Sequence, residues 1–480
     1  VYILSTSSNS GKTVIVTAIV HALSKRARVS PFKAQNMSLN SYPAVDGGEV
    51  AVAQAMQAYA AGVEPVTAMN PILLKPLSDD RSEVIVRGRP FSINGFREYS
   101  SSILDKWRIV REAIDELRSG FDVIVGEGAG SAFEPNIRDV TNFRAAEYLG
   151  GDVYVVLDID RGGAFTSALG LMESIPPRWR RLVKGFIINR FRGDESLLDG
   201  AVKWLMERTG KRVVGVIPWM DMSRLWPEDS ESMMGFGSGP LDVAVIAYPW
   251  ISNFNEFQAL TLEPDVSVRF VRSGALGEPD LVVLPGSRNV PASLEWLRRT
   301  GLESRLRRLI GSTPILGVCG GFQLMASKIS DPHGVEGGSP GHYRGLGLGD
   351  FEVAYGLDKV VSRSVARLLH PEELVFTGYE IHRGHVTYGS SSPASIILER
   401  NGVSAMVMDG IWDEERGVMG THLHGALGDP GFRELILNEA RRRRGLPSRR
   451  SQGGLIDALL AGVKTISEAV WSRLDIPYPT

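Results

Sequence analysis

Continuous runs of Val, Ile and Leu that lead into polar, glycine-rich turns constrain this chain more than any other feature. Val1–Leu4 runs into STSSNSGKT, Phe121–Val125 into GEGAGS, and Val153–Leu157 into DIDRGG. A strand with one wet face alternates apolar and polar residues; these runs do not, so they predict parallel strands covered by helices on both faces. Val183–Asn189 and Val213–Ile217 extend the pattern, and Val14, Ile15, Ala18, Ile19 and Ala22 give the first intervening helix its apolar face. In such sheets ligands bind beyond the carboxyl ends of the strands, where the polar turns lie.

The pattern breaks once. Glu228–Pro240, EDSESMMGFGSGP, lacks periodicity and reads as a linker. A second α/β series follows, with strands at Val243–Ala247, Val266–Phe270, Leu281–Leu284, Ile315–Val318 and Gly417–Thr421. The expected organisation is one α/β domain over 1–230, a second over 241–430, and a helical tail over 431–480. In that tail Leu455, Leu459, Val463, Ile466 and Val470 form one stripe. A length of 480 residues with 43% hydrophobic and 22% charged side chains supports packed cores and excludes disorder.

The formal net charge of −2 gives no general attraction to nucleic acid or anionic membranes. The run Arg441–Arg444 has no interleaved aromatics and reads as a solvated helix end. Cys319 is the only cysteine, which excludes an intrachain disulfide and a cysteine-based zinc cage. No apolar run approaches the ~20 residues of a membrane helix. Val1–Leu4 is too short for a signal-peptide core. The expected compartment is the cytoplasm, without membrane or nucleic-acid partners; the oligomeric state is left open.

Ser5–Thr13 is a phosphate-binding loop between a strand and a helix. Such a loop turns backbone N–H groups toward phosphate oxygens at a helix N-terminus. Thr6, Ser7, Asn9, Ser10, Gly11, Lys12 and Thr13 are the nucleotide-binding candidates, with Lys12 toward the β- and γ-phosphates and the Thr13 hydroxyl toward Mg²⁺. The spacing is longer than G-x-x-x-x-G-K-[ST], and Ser5 stands in the first glycine position. In this the loop resembles the dethiobiotin synthetase and MinD-like branch of P-loop proteins. Glu127, with Asp46 and Glu49 of DGGE, supplies carboxylates for octahedral Mg²⁺. Lys33, Gln35 and Asn36 of KAQNMSLNS, with Asp139, Asn142 and Asp160, are candidates for holding an acidic substrate and the γ-phosphate together.

The second half carries a nucleophile. In ILGVCGGFQ, Cys319 sits between a buried strand and a helix, with Gly317 two residues before it and Gly320 directly after, the setting of a strained nucleophile elbow and of a lowered thiol pKa. Gly320, and Gly286 or Ser287 of LPGS, are the oxyanion-hole candidates. GTHLHG supplies two candidate bases, His422 and His424; strand alternation favours His424.

FKAQNMSLNS, MNPILLKP, EGAGS, DIDRGG, KGFIINRFRGD, ISNFNEFQALTLEP, PDLVVLPGSRN, GVCGGFQLM, GYEIHRG and GTHLHG together resemble the cobyric acid synthase family, over about residues 1 to 430. The resemblance implies a P-loop, dethiobiotin synthetase-like parallel-sheet domain followed by a flavodoxin-like class I glutamine amidotransferase domain. It implies ATP, Mg²⁺, glutamine and a corrinoid, adenosylcobyrinic acid a,c-diamide, whose b, d, e and g carboxylates become amides. The substrate carries its own cobalt. The resemblance places the nucleophile on Cys319, the histidine on His424 and glutamine contact on Gln323. Where many class I amidotransferases complete a triad with Glu two residues after the histidine, this chain has Ala426, as the family's Cys–His pairing implies. What orients His424 is left open, as is the role of Glu380 and His382 in GYEIHRG. The alternatives are the a,c-diamide synthase of the preceding step, and a MinD-like regulatory ATPase with an inert amidotransferase fold.

Overall fold

The computed structural model describes residues 1–77, 81–95, 103–137, 139–228 and 233–478. Six strands form the first sheet: β1 (Tyr2–Ser5), β2 (Val29–Phe32), β3 (Val123–Glu127), β4 (Val153–Asp158), β5 (Val183–Phe191) and β6 (Arg212–Pro218), in spatial order β6-β5-β4-β1-β3-β2. All neighbours pair in parallel. β1 is central and fully buried, as its unbroken apolar run requires. Helix α1 (Lys12–Leu23) leaves β1 at the carboxyl edge, so the loop between them opens where β3 and β4 also end.

KAQNMSLNS is not a plain loop. Gln35–Met37 pairs with Ile72–Pro76 at the edge of a four-stranded sheet, and Ser41–Pro43 pairs with Glu49–Ala51. Lys33 meets Glu127 and Glu228, Asn36 meets Gln54 and Glu228, and Asn40 and Ser41 meet Asn253 of the second half.

The second sheet has β7 (Leu241–Ile246), β8 (Val266–Val271), β9 (Leu281–Leu284), β10 (Ile315–Val318) and β11 (Val418–Thr421) in parallel, ordered β8-β7-β9-β10-β11. Beyond β11 it continues through long antiparallel strands, Val403–Asp413, Pro393–Arg400 and Phe351–Leu368, the last also pairing with Leu374–Tyr388. The alternating burial of Phe351–Leu368 is the expected signature of one wet face. Of the Glu228–Pro240 segment, residues 229–232 lie outside the described residues, while Phe236–Gly237 pairs with β8.

Helix α2 (Gly320–Leu324) follows β10. Helix α3 (Pro430–Arg444) closes the second half. The arginine run there is not simply solvated: Arg441 is fully buried and holds Asp265 at 2.9 Å and 3.0 Å. Helix α4 (Leu455–Trp471) buries Leu455, Leu459, Val463, Ile466 and Val470 in a cluster with Ile15, Ile19 and Leu23 of α1, so the end of the chain packs on the first half. Among the described residues no helix is long and apolar enough to cross a membrane.

Candidate functional site

Two clusters of chemistry-bearing side chains stand at the carboxyl edges of the two sheets. In the first, Lys12 donates to Ser5 Oγ at 2.7 Å and to the Gly130 carbonyl at 2.9 Å. Burial, reinforced by the nearby Lys33 cation, pulls its pKa down to about 8, an unfavourable setting that an anionic ligand would relieve. Gly11, at φ 89°, turns the chain into α1, and Asn189 fastens the loop by donating to the Ser10 carbonyl at 2.7 Å. Ser7 and Ser10 bond each other at 2.8 Å. Ser8 to Thr13 line the cavity in front of the loop, and Thr6 and Ser7 do not.

Thr13 donates to Glu127 at 2.8 Å and to Glu228 at 2.6 Å. Lys33 bridges the same two carboxylates at 2.7 Å and 2.9 Å. Gln57 donates to the second Glu127 oxygen at 2.6 Å, and Asn36 to Glu228 at 3.3 Å. Two carboxylates and a hydroxyl converge with their oxygens inward, a donor set that fits a hard divalent cation completing its shell with water and phosphate. Glu228 belongs to the supposed linker and was not among the residues picked from sequence.

Asp46 and Glu49 do not join this cluster. Asp46 accepts from the Thr67 backbone N–H at 3.0 Å and from its hydroxyl at 2.6 Å, capping the turn Thr67–Met69. Glu49 is buried between Lys75, at 2.5 Å, and Lys359. Asp139 lines the cavity, but one carboxylate oxygen accepts the Thr141 and Asn142 N–H groups, each at 2.7 Å. Asn142 is spent on Ala129 and Ser131, which fixes the EGAGS turn. Gln35 and Asp160 line the cavity, the latter half-exposed near Arg192.

This first cavity measures about 1590 Å³. The phosphate loop and Lys33 line it, and so do Trp219, Met222, Trp226, Met233, Phe254 and Phe270.

The second cluster surrounds Cys319, held at φ 50° and ψ −110° between β10 and α2. A β-carbon on Gly320 would fall 2.5 Å from the Ser287 nitrogen, and one on Gly286 would fall 2.6 Å from His424 Cε1. The two glycines therefore let the LPGS turn, the elbow and the histidine meet. His424 is buried, with Nδ1 at 2.9 Å from Glu256 Oε1 and its ring stacked on Tyr379. Burial opposes its charge, but Cys319 and Glu256 prevail and raise its pKa to about 10. His422 is engaged elsewhere: its Nδ1 lies 2.8 Å from Asp409 and its ring stacks on His382. Glu380 is bound by Arg400 and by His382, so GYEIHRG braces this packing. Gln323 accepts from the Tyr355 hydroxyl at 2.8 Å. It lines a cavity of about 40 Å³ with Cys319, Arg288, Glu336 and, from the first half, Lys75 and Glu83. Glu336 is pushed up by burial to about 7.

No motif marks Glu256 as a partner of His424. The usable signal was a lone carboxylate inside the apolar segment FNEFQAL, which burial would force to find a partner.

A model of the CobQ/CobB/MinD/ParA nucleotide binding domain matches residues 1–232, and one of the CobB/CobQ-like glutamine amidotransferase domain matches residues 242–432. A cobyric acid synthase of Gloeobacter violaceus is 40% identical over 461 residues, covering 94% of this chain and 92% of the relative. That of Clostridium botulinum strain Loch Maree is 41% identical, covering 94% and 93%. That of Moorella thermoacetica is 43% identical, covering 92% and 89%. A nucleotide-binding half and an amidotransferase half, matched along nearly their whole joint length, place this chain in the cobyric acid synthase family, the glutamine amidotransferases of cobalamin biosynthesis.

Proposed function

We propose that this enzyme converts adenosylcobyrinic acid a,c-diamide to adenosylcobyric acid by amidating the b, d, e and g carboxylates with ATP and glutamine. The supporting observation is the cavity of about 1590 Å³, lined both by a phosphate loop with carboxylates and by aromatic and Met side chains. Small-molecule pockets usually span about 300–1,000 Å³. The larger volume suits two ligands, a nucleotide triphosphate against Lys12 and a large apolar ring system against Trp219 and Trp226.

In the second cluster the Cys319 thiolate attacks the glutamine amide carbonyl. The proton on His424 Nε2 passes to the leaving ammonia, and His424 then draws a proton from the water that cleaves the thioester and releases glutamate. The backbone N–H groups of Gly320 and of Gly286 or Ser287 would stabilise the developing oxyanion. In the first cluster Lys12 and the loop N–H groups hold the phosphates in line with a corrinoid carboxylate. The γ-phosphoryl passes to that carboxylate, and the acyl phosphate then loses phosphate to ammonia. Thr13, Glu127 and Glu228 would hold Mg²⁺, which supplies charge neutralisation during phosphoryl transfer.

The test is mass spectrometry of the corrinoid after incubation with ATP and glutamine, using the wild type and Cys319→Ser. The wild type should add four amides. Cys319→Ser should add them only when a high concentration of ammonium replaces glutamine, because an alcohol lacks the accessible thiolate. An a,c-diamide left unchanged while a less amidated corrinoid acid gains two amides would refute the proposal.

A further inference from the structure

The chain has no carboxylate two residues after His424, yet His424 does not lack one. Glu256 Oε1 lies 2.9 Å from Nδ1, and Oε2 accepts the Gly425 N–H at 3.0 Å, so both oxygens grip the histidine turn. Glu256 and His424 are 0% and 1% exposed. A carboxylate stripped of water and given one backbone donor is costly unless its remaining partner carries charge. The other ring nitrogen, Nε2, is buried without a hydrogen-bond partner; the Cys319 thiol lies near enough to favour the ring's charge and itself donates to the Ile381 carbonyl at 3.7 Å. Glu256 and the Cys319 thiol thus both act on one buried imidazole.

We propose that Glu256, borne on the 3₁₀ helix Phe254–Leu262, is the positioning residue of the glutaminase, fixing the tautomer and orientation of His424 and stabilising its imidazolium opposite the Cys319 thiolate. The proposal rests on the amidotransferase reading of this site. The carboxylate is placed from across the molecule. Asn253, at φ 55°, starts the same helix; its N–H donates to Asn40 Oδ1 at 2.6 Å and its own Oδ1 accepts the Ser41 N–H at 2.8 Å. Asn40 also donates to the carbonyl of Glu228, whose side chain belongs to the phosphate-side cluster. The helix that aims Glu256 is thus pinned to the nucleotide half.

Besides Cys319 and Glu256, the titratable groups that face His424 are Tyr379, stacked on its ring, and Tyr248, whose hydroxyl donates to the Pro285 carbonyl. Burial raises both phenols well above the ordinary tyrosine range, so neither titrates near neutrality.

Cys319 is the only thiol in the chain, so alkylation by iodoacetamide reports its ionisation without interference. The experiment compares wild type with Glu256→Gln and Glu256→Asp in the full chain, following glutamine hydrolysis, the pH midpoint of alkylation, and corrinoid amidation with ammonium. Glu256→Gln should lower kcat for glutamine about a hundredfold or more. KM should change little, the alkylation midpoint should move to higher pH, and ammonium-dependent amidation should be retained. Glu256→Asp keeps the charge, so it should keep the wild-type midpoint and recover part of kcat. Wild-type kcat and an unmoved midpoint in Glu256→Gln would overturn the proposal. If Glu256→Gln does not fold, Glu256→Asp decides: wild-type kcat from a carboxylate withdrawn by one methylene would overturn it, and a lowered kcat with an unmoved midpoint would support it. A wild type that hydrolyses no glutamine and amidates nothing with ammonium would instead refute the amidotransferase reading. The alkylation midpoints would still separate the outcomes for Glu256.

Discussion

Lys33→Met tests the electrostatics of the nucleotide side directly. Methionine keeps the length and apolar stem of lysine and removes the cation that bridges Glu127 and Glu228 at 2.7 Å and 2.9 Å. Breaking a buried ion pair from one side costs about 3–5 kcal/mol. The lower end applies here, because the Glu228 side chain keeps 28% exposure and Thr13, Gln57 and Asn36 go on donating. For a unit of about two hundred residues, each kcal/mol moves Tm by about 2–4 °C, so a loss of about 3 kcal/mol predicts a drop of about 6–12 °C. The pH dependence has a definite sign. Burial pushes the Glu228 pKa up, but Lys33 and the donated hydrogen bonds outweigh it and hold it at about 2, below the ordinary 4.5. A folded-state pKa depressed in this way contributes stability above the unfolded value and loses it as pH falls toward the folded one. The gap between wild type and Lys33→Met should therefore be widest at neutral pH and close as pH falls from about 4.5 toward 2. Magnesium with ADP should narrow it at neutral pH to the extent that the variant, freed of the competing ammonium, binds the cation more tightly than wild type does. The assay is thermal unfolding followed by circular dichroism at several pH values, with and without Mg·ADP. A Tm within about 2 °C of wild type, or a gap that widens on acidification, would refute the reasoning.

Lys12→Ala should abolish corrinoid amidation with either glutamine or ammonium while glutamine hydrolysis persists; near wild-type amidation with ammonium would remove Lys12 from the phosphate site. Because burial holds the Lys12 pKa at about 8 and a phosphate would raise it, nucleotide binding between about pH 8 and 10 should take up protons. Calorimetry in buffers of different ionisation enthalpy should register that uptake in wild type and lose it in Lys12→Ala. Asn253→Ala removes the acceptor of the Ser41 N–H and puts alanine at φ 55°, which costs about 1–2 kcal/mol for the backbone alone. Glutamine hydrolysis should fall while ammonium-dependent amidation survives, and equal losses of both would argue against the coupling.

The contact between the halves is ionic where it borders the Cys319 pocket. Glu49 and Glu83 come from the first half, and both bind Lys359 of the second. Glu83 also binds Arg288 and Arg383. Buried ion pairs add little net stability, since desolvation offsets most of the attraction, yet each mispaired charge is expensive. Such a contact defines one register between the halves without holding them as tightly as an apolar face of equal area. The pocket it borders, about 40 Å³, has room for about three water molecules and none for glutamine.

How much of this was legible follows from the range over which each group acts. The phosphate loop and the cysteine elbow declare themselves because strand, turn, glycine and reactive side chain are contiguous, in STSSNSGKT and in GVCGG. The parallel strands were legible for the same reason, since burial on both faces is written into each run. The long antiparallel strands could have been read from the alternation in Phe351–Leu368. Glu49 was misassigned because its neighbours in DGGE say nothing about Lys359, 310 residues away, which claims one of its oxygens. Glu228 hid in a polar segment for the complementary reason: flexible composition describes the chain around it and not the Thr13 hydroxyl it meets, 215 residues away. Glu256 combines both difficulties. Its partner His424 lies 168 residues downstream, and only the expense of burying a carboxylate among Phe254, Phe257 and Leu260 marks it in the sequence. A charged residue inside an apolar segment therefore deserves the same scrutiny as a motif, because burial obliges it to meet a partner whose position only the fold determines.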